Sequence, residues 1–111
     1  MEDIEFGLPP ARAHALSWVR LDVRRAAAFA ASDCRIEGAP WHDPDRVDEW
    51  GPALARTGVR ECIVYCVHGH EVGRDTASRL RHFGIQAHYL AGGIEGWKEA
   101  GLPLLKKEVS S

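Results

Sequence analysis

The sequence predicts an α/β layered fold with a mostly parallel central sheet flanked by helices. Three observations carry that prediction. Apolar strand-like runs alternate with helical patterns along the chain. The run Cys62-Ile63-Val64-Tyr65 is continuously apolar, as in a strand covered on both faces. A length of 111 residues with 45% hydrophobic content suits one domain with one modest core.

The elements follow in order. Residues 1–14 read as a loose lead-in, because Gly7, Pro9 and Pro10 oppose regular structure. Leu16 to Leu21 has strand composition and rough alternation. The Ala-rich segment from Arg24 to Ala31, with Phe29, reads as a short helix. Cys34 to Pro40 is a turn-rich connector with room for one very short strand. Asp43-Pro44-Asp45 is a helix start, with Asp at the N-cap and Pro at the first helical position. Val47, Trp50 and Leu54 then share one helical face, and Gly58 closes it.

Glu61 to Tyr65 is the clearest strand. From Val72 to Phe83 the pattern is helical, with Val72, Thr76, Leu80 and Phe83 on one face and Gly84 as the stop. Ala87 to Leu90 is a further strand, Gly92-Gly93 turns the chain, and Ile94 to Ala100 is a short helix with Trp97 inward. The domain is expected over residues 15–105, with a polar, frayed tail at 106–111.

Composition excludes several functions. Fourteen basic and sixteen acidic residues give a formal charge of −2. No basic excess suits nucleic acid, and no basic tail or long apolar run suits a membrane. The acidic N-terminus lacks the apolar stretch of a secretory signal. Cys34, Cys62 and Cys66 are an odd count without metal-finger spacing. A reduced, cytoplasmic, monomeric protein with at least one free thiol is expected.

Cys66 is the candidate nucleophile. It ends the most buried strand, and a short loop (Val67, His68, Gly69, His70) leads into a helical pattern near Glu71 and Val72. Ligands of parallel sheets bind at the carboxyl ends of strands. There the backbone N–H groups of residues 67 to 72 and a helix dipole favour a thiolate. The alternative is a buried structural thiol, common after a strand. Cys62, within the strand, is expected in the core.

Leu21-Asp22-Val23-Arg24, Ile36-Glu37-Gly38-Ala39, Tyr65-Cys66 with Gly69, and Leu90-Ala91-Gly92-Gly93 with Trp97, Gly101 and Pro103 follow in that order. Together they resemble the single-domain rhodaneses, a sulfurtransferase family. The resemblance spans Trp18 to Pro103 and implies a three-layer rhodanese-like fold. It also implies a reaction. The cysteine takes a sulfane sulfur from thiosulfate or a persulfide or polysulfide, becomes a persulfide, and passes the sulfur to cyanide or a thiol. No cofactor is implied.

Two departures stand out. The family's loop carries Arg five positions after the Cys, and here that position is Glu71. The loop is also one residue longer than the common form, as in related phosphatases and arsenate reductases. Those enzymes place Arg six positions after the Cys, where this chain has Val72. Arg74 lies near but one turn into the helix. Oxyanion chemistry therefore ranks below sulfur transfer, and a low-turnover sulfur carrier or regulatory module is the alternative.

His68 and His70 are the substitute cations, or else solvent-exposed loop residues. Cys66, His68 and His70 offer three metal ligands, but no second cluster completes a zinc site, so no metal is expected. Asp22 and Arg24 are expected to brace the loop rather than react. Glu71 also suits a helix N-terminus by charge alone.

Overall fold

The computed structural model describes residues 6–69 and 71–107. Four parallel strands form the central sheet, in the order β1-β5-β4-β2. They are β1 (Gly7–Leu8), β2 (Val19–Asp22), β4 (Glu61–Tyr65) and β5 (Gln86–Leu90). A second, antiparallel pair joins β3 (Cys34–Ile36) to β6 (Leu104–Lys106). The helices are α1 (Pro10–Ala15), α2 (Ala26–Ala31), α3 (Val47–Arg56), α4 (Glu71–His82) and α5 (Gly93–Glu99).

The apolar run of β4 puts that strand inside the sheet. Cys62 sits opposite Val19 on one side and Ala87 on the other. Successive side chains of a strand point to opposite faces. Cys62 and Val64 accordingly join Val47 of α3 and Ala77 and Leu80 of α4 in one core. Ile63 and Tyr65 join Ala13 of α1 and Ile94 and Trp97 of α5 in the other. The result is helices, sheet, helices: three layers.

Asp43 accepts a hydrogen bond from the Asp45 N–H at 3.0 Å, as a capping residue does. The first turn after it, Pro44–Arg46, is 3-10, and the α-helix proper begins at Val47. The inward face of α4 is Gly73, Thr76, Ala77 and Leu80. Val72 and Phe83, expected on that face, are only half-buried at its margin.

Two expectations need correction. From Phe6 the lead-in is not loose: Gly7 and Leu8 pair with Tyr89 and Leu90, and Pro10 opens α1, while residues 1–5 lie outside the described residues. Pro at the first helical position starts a helix rather than breaking one, since its missing N–H has no intrahelical partner there. At the other end, Lys106 and Lys107 are also ordered, where a frayed tail was expected, and residues 108–111 lie outside the described residues. Lys106 pairs with Cys34, and the Lys107 N–H donates to the Asp33 carbonyl at 2.8 Å. Both segments gain order from pairing partners remote in sequence. Among the described residues, no helix is long and apolar enough to cross a membrane.

Candidate active site

Parallel register aligns the carboxyl ends of the strands. Asp22 sits opposite Tyr65, and Val64 opposite Tyr89. The chain leaves each strand at the same edge of the sheet, so Arg24, Cys66 and Gly92 emerge together. Cys66 follows β4 directly and is 6% exposed. Its sulfur packs on α4: a Cβ added to Gly73 would stand 3.2 Å from Sγ. Any side chain at position 73 would press on the thiol.

The loop after Cys66 is fixed from behind by the turn into α5. The Ile94 N–H donates to the Cys66 carbonyl at 2.9 Å, and the Glu95 N–H to the Val67 carbonyl at 3.1 Å. In a trans peptide the N–H points opposite to the carbonyl. The N–H groups of Val67 and His68 are therefore directed away from α5. Gly69 has φ +73°, and a Cβ there would meet the Leu90 carbonyl at 2.7 Å and the Gly92 nitrogen at 2.6 Å. Glycine is needed here for both its angle and its size.

Arg24 and Asp22 form a buried pair beside the loop. The Arg24 Nη2 donates to Asp22 Oδ2 at 2.7 Å and Nε to Oδ1 at 3.0 Å, and both side chains are almost wholly enclosed. Nη2 also donates to the Cys34 carbonyl at 3.0 Å, which ties β2 to β3. Burial disfavours the guanidinium charge, but the hydrogen bond and charge of Asp22 more than offset it, and the Arg24 pKa is raised. Tyr65 accepts from the Ile36 N–H at 3.1 Å, while burial and then the Asp22 charge push its phenol up, so it stays protonated. Neither group is a proton donor or acceptor for chemistry near neutrality.

A pocket of ≈ 250 Å³ opens over the thiol, bounded by Arg24, Arg25, Ala28, Cys66, Val67, His68, Glu71 and Val72. Of the loop residues expected at the site, Val67, His68, Glu71 and Val72 border the pocket with Cys66, Gly69 does not, and His68 and Glu71 are exposed. Arg74 is elsewhere: its guanidinium lies 6.0 Å from the centre of the Tyr89 ring, outside the pocket lining. His70 lies outside the described residues.

Three residues were not anticipated. Arg25 and Ala28, from the start of α2, form the wall facing the loop. Gly73 of α4 lies against the Cys66 sulfur. A pointer to Arg25 existed in its position immediately past the carboxyl end of β2. A glycine inside a helical pattern, as at Gly73, also marks a close approach. Burial holds the thiol of Cys62 in the core, with its pKa pushed up to about 12.

The Rhodanese-like domain family matches residues 11–100 of the chain. No curated protein matches the sequence closely. Solved structures do share its fold. A rhodanese-related protein of Thermoplasma volcanium superposes with a TM-score of 0.77 at 21% identity, over 91% of this chain and 98% of that one. A Rhodopseudomonas palustris protein of unknown function, described as a possible tyrosine phosphatase, gives 0.78 at 20% identity, over 94% and 89%. A thiosulfate sulfurtransferase of Pseudomonas aeruginosa gives 0.71 at 23% identity, over 92% of this chain but 19% of that one.

Proposed function

This chain belongs to the Rhodanese-like domain family, and on that premise we propose that it is a sulfurtransferase working through a persulfide on Cys66. The observation that carries the reading is the location of the thiol. It sits at the floor of a pocket at the carboxyl edge of a parallel sheet, against the first turns of α4.

In this reading the Cys66 thiolate attacks the outer sulfur of a sulfane donor R–S–S⁻ or R–S–SH. The bond between the donor's two sulfurs breaks, and its electron pair leaves on the R–S⁻ thiolate. Cys66 keeps the transferred sulfur as a persulfide. An acceptor thiolate or cyanide then attacks that outer sulfur and returns Cys66 as thiolate. No oxidant or cofactor is consumed. The N–H groups of Val67 and His68, the start of α4 and the side chain of His68 supply the positive field for the thiolate and the persulfide. The Asp22–Arg24 pair fixes the loop entry and does not react. The protein acts in the cytoplasm as a monomer.

The test is intact-mass analysis after incubation with thiosulfate, cysteine persulfide or polysulfide. One added sulfur on Cys66 is expected. Cys66→Ser should abolish it, whereas Cys62→Ala should retain it because the buried Cys62 thiol is pushed up to about 12. No added sulfur with any donor would overturn the reading.

Glu71 motivates a second reading, a sulfur carrier with little turnover, because its charge lines the pocket and repels an anionic donor. Loading of Cys66 without multiple turnovers to cyanide would favour it. An oxyanion hydrolase is not proposed, since Val72 stands where its anion-clamping Arg would be.

A further inference from the structure

The pocket over Cys66 carries charges of both signs. Arg24 contributes little net field, because Asp22 neutralises it within the protein at 2.7 Å. Arg25 on the α2 side and Glu71 on the α4 side remain, with His68 of the loop beside them, as the side chains of the described lining that can meet a carboxylate and an ammonium group. Both side chains are exposed. Arg25 also approaches Asp45 at 3.6 Å, but that pair is open to solvent at 63% and 72% exposure. Such surface pairs are worth little, so a ligand carboxylate can draw the guanidinium inward. Between the charges the lining is apolar: Ala28, Val67 and Val72. At ≈ 250 Å³ the pocket is smaller than the roughly 300–1,000 Å³ of sites for drug-sized ligands.

We propose that Arg25 and Glu71 select as sulfur donor a small persulfide bearing both a carboxylate and an ammonium group, the persulfide of an α-amino-acid thiol. This rests on the sulfur-transfer reading above. Thiosulfate gains from Arg25 and loses to Glu71. A zwitterionic donor gains from both, and its short methylene stem lies along Ala28, Val67 and Val72. The reaction is the balanced exchange already given: the outer sulfur moves to Cys66, and the amino-acid thiolate leaves and takes a proton from water.

Four donors separate the contributions: cysteine persulfide, cysteamine persulfide (no carboxylate), 3-mercaptopropionate persulfide (no ammonium) and thiosulfate. Transfer to cyanide is read as thiocyanate. The kcat/KM for cysteine persulfide is expected to exceed that for each single-charge donor by about 1.5- to fivefold, the range for exposed charge pairs. Glu71→Gln should shrink the ratio of cysteine to 3-mercaptopropionate persulfide, and raise thiosulfate turnover. Arg25→Gln should shrink the ratio of cysteine to cysteamine persulfide. Equal kcat/KM for the four donors, or ratios that both substitutions leave intact, would overturn the proposal while leaving sulfur transfer standing. Failure of every donor to load Cys66 would instead remove the sulfur-transfer reading, and this proposal with it.

Discussion

Gly93 stands so close to the Cys66 peptide that a Cβ built on it would lie 2.5 Å from the Cys66 carbonyl oxygen. The same residue has φ +59°. The glycine pair before α5 therefore does more than turn the chain. It lets the N-terminus of α5 dock on the loop, where Ile94 and Glu95 hold the carbonyls of Cys66 and Val67.

Gly93→Ala should consequently displace the loop. A stability loss of at least about 2 kcal/mol is expected, from the left-handed backbone and the overlap together. Sulfur loading of Cys66 should fall at least about tenfold. Gly38→Ala is the control: it has φ +75° but nothing within 4 Å of an added Cβ. It should cost only about 1–2 kcal/mol and spare loading. Urea denaturation of both variants separates overlap from backbone strain.

Gly73→Ala should divide stability from activity. Alanine is favoured over glycine within a helix by about 1 kcal/mol. Its Cβ, however, would stand 3.2 Å from Sγ and 3.7 Å from the Tyr89 Cβ. Thermal stability is expected to hold or rise slightly, while the rate of persulfide formation drops. A variant that loads sulfur as fast as the parent would show that the packing of α4 on the thiol does not matter.

The Asp22–Arg24 pair makes the sharpest stability prediction. Asp22→Asn leaves a buried guanidinium without its counter-charge, a change worth about 3–5 kcal/mol. For a domain of this size the Tm should fall by more than about 10 °C. Calorimetry of the variant checks it. A loss below about 1 kcal/mol would mean the pair is solvated in solution.

His88 gives a pH dependence. It packs against Trp18 at 5.1 Å and Phe6 at 5.6 Å, and its buried Nδ1 has no hydrogen-bond partner among the described residues. Burial is the main cause lowering its pKa, and the charges of Arg81 and Arg12 act in the same direction. With the folded pKa below the unfolded value of about 6.5, the unfolded chain binds more protons in between. Stability contributed by neutral His88 is complete above that value and is lost as pH falls toward the folded pKa. His88→Gln should flatten this part of the stability–pH curve. An unchanged slope between about pH 7 and 5 would assign the dependence to other groups.

Much of this was legible in the chain. The β4 run, the α4 pattern and the spacing from Asp22 to Gly93 follow from periodicity and turn residues, which act over a few residues. Cys66 could be singled out because a strand, a Gly-bearing loop and a helix start adjoin it. The order of β1 and β6 was not legible. A two-residue strand has no periodicity, and it exists only because Tyr89 and Leu90 offer a free edge.

By itself, then, the sequence determined an α/β layering and the thiol at a strand's carboxyl end. Local propensity and hydrophobic pattern are sufficient for both. Only the tertiary structure decided which side chains share space with that thiol. Arg25 stands just before α2, Gly73 lies against the sulfur, Gly93 backs the loop, and Arg74 lies beside Tyr89 outside the pocket lining. Those relations depend on parallel register and on close backbone contact between segments tens of residues apart. No local pattern encodes such distances, because they are set by how the layers pack rather than by any one of them.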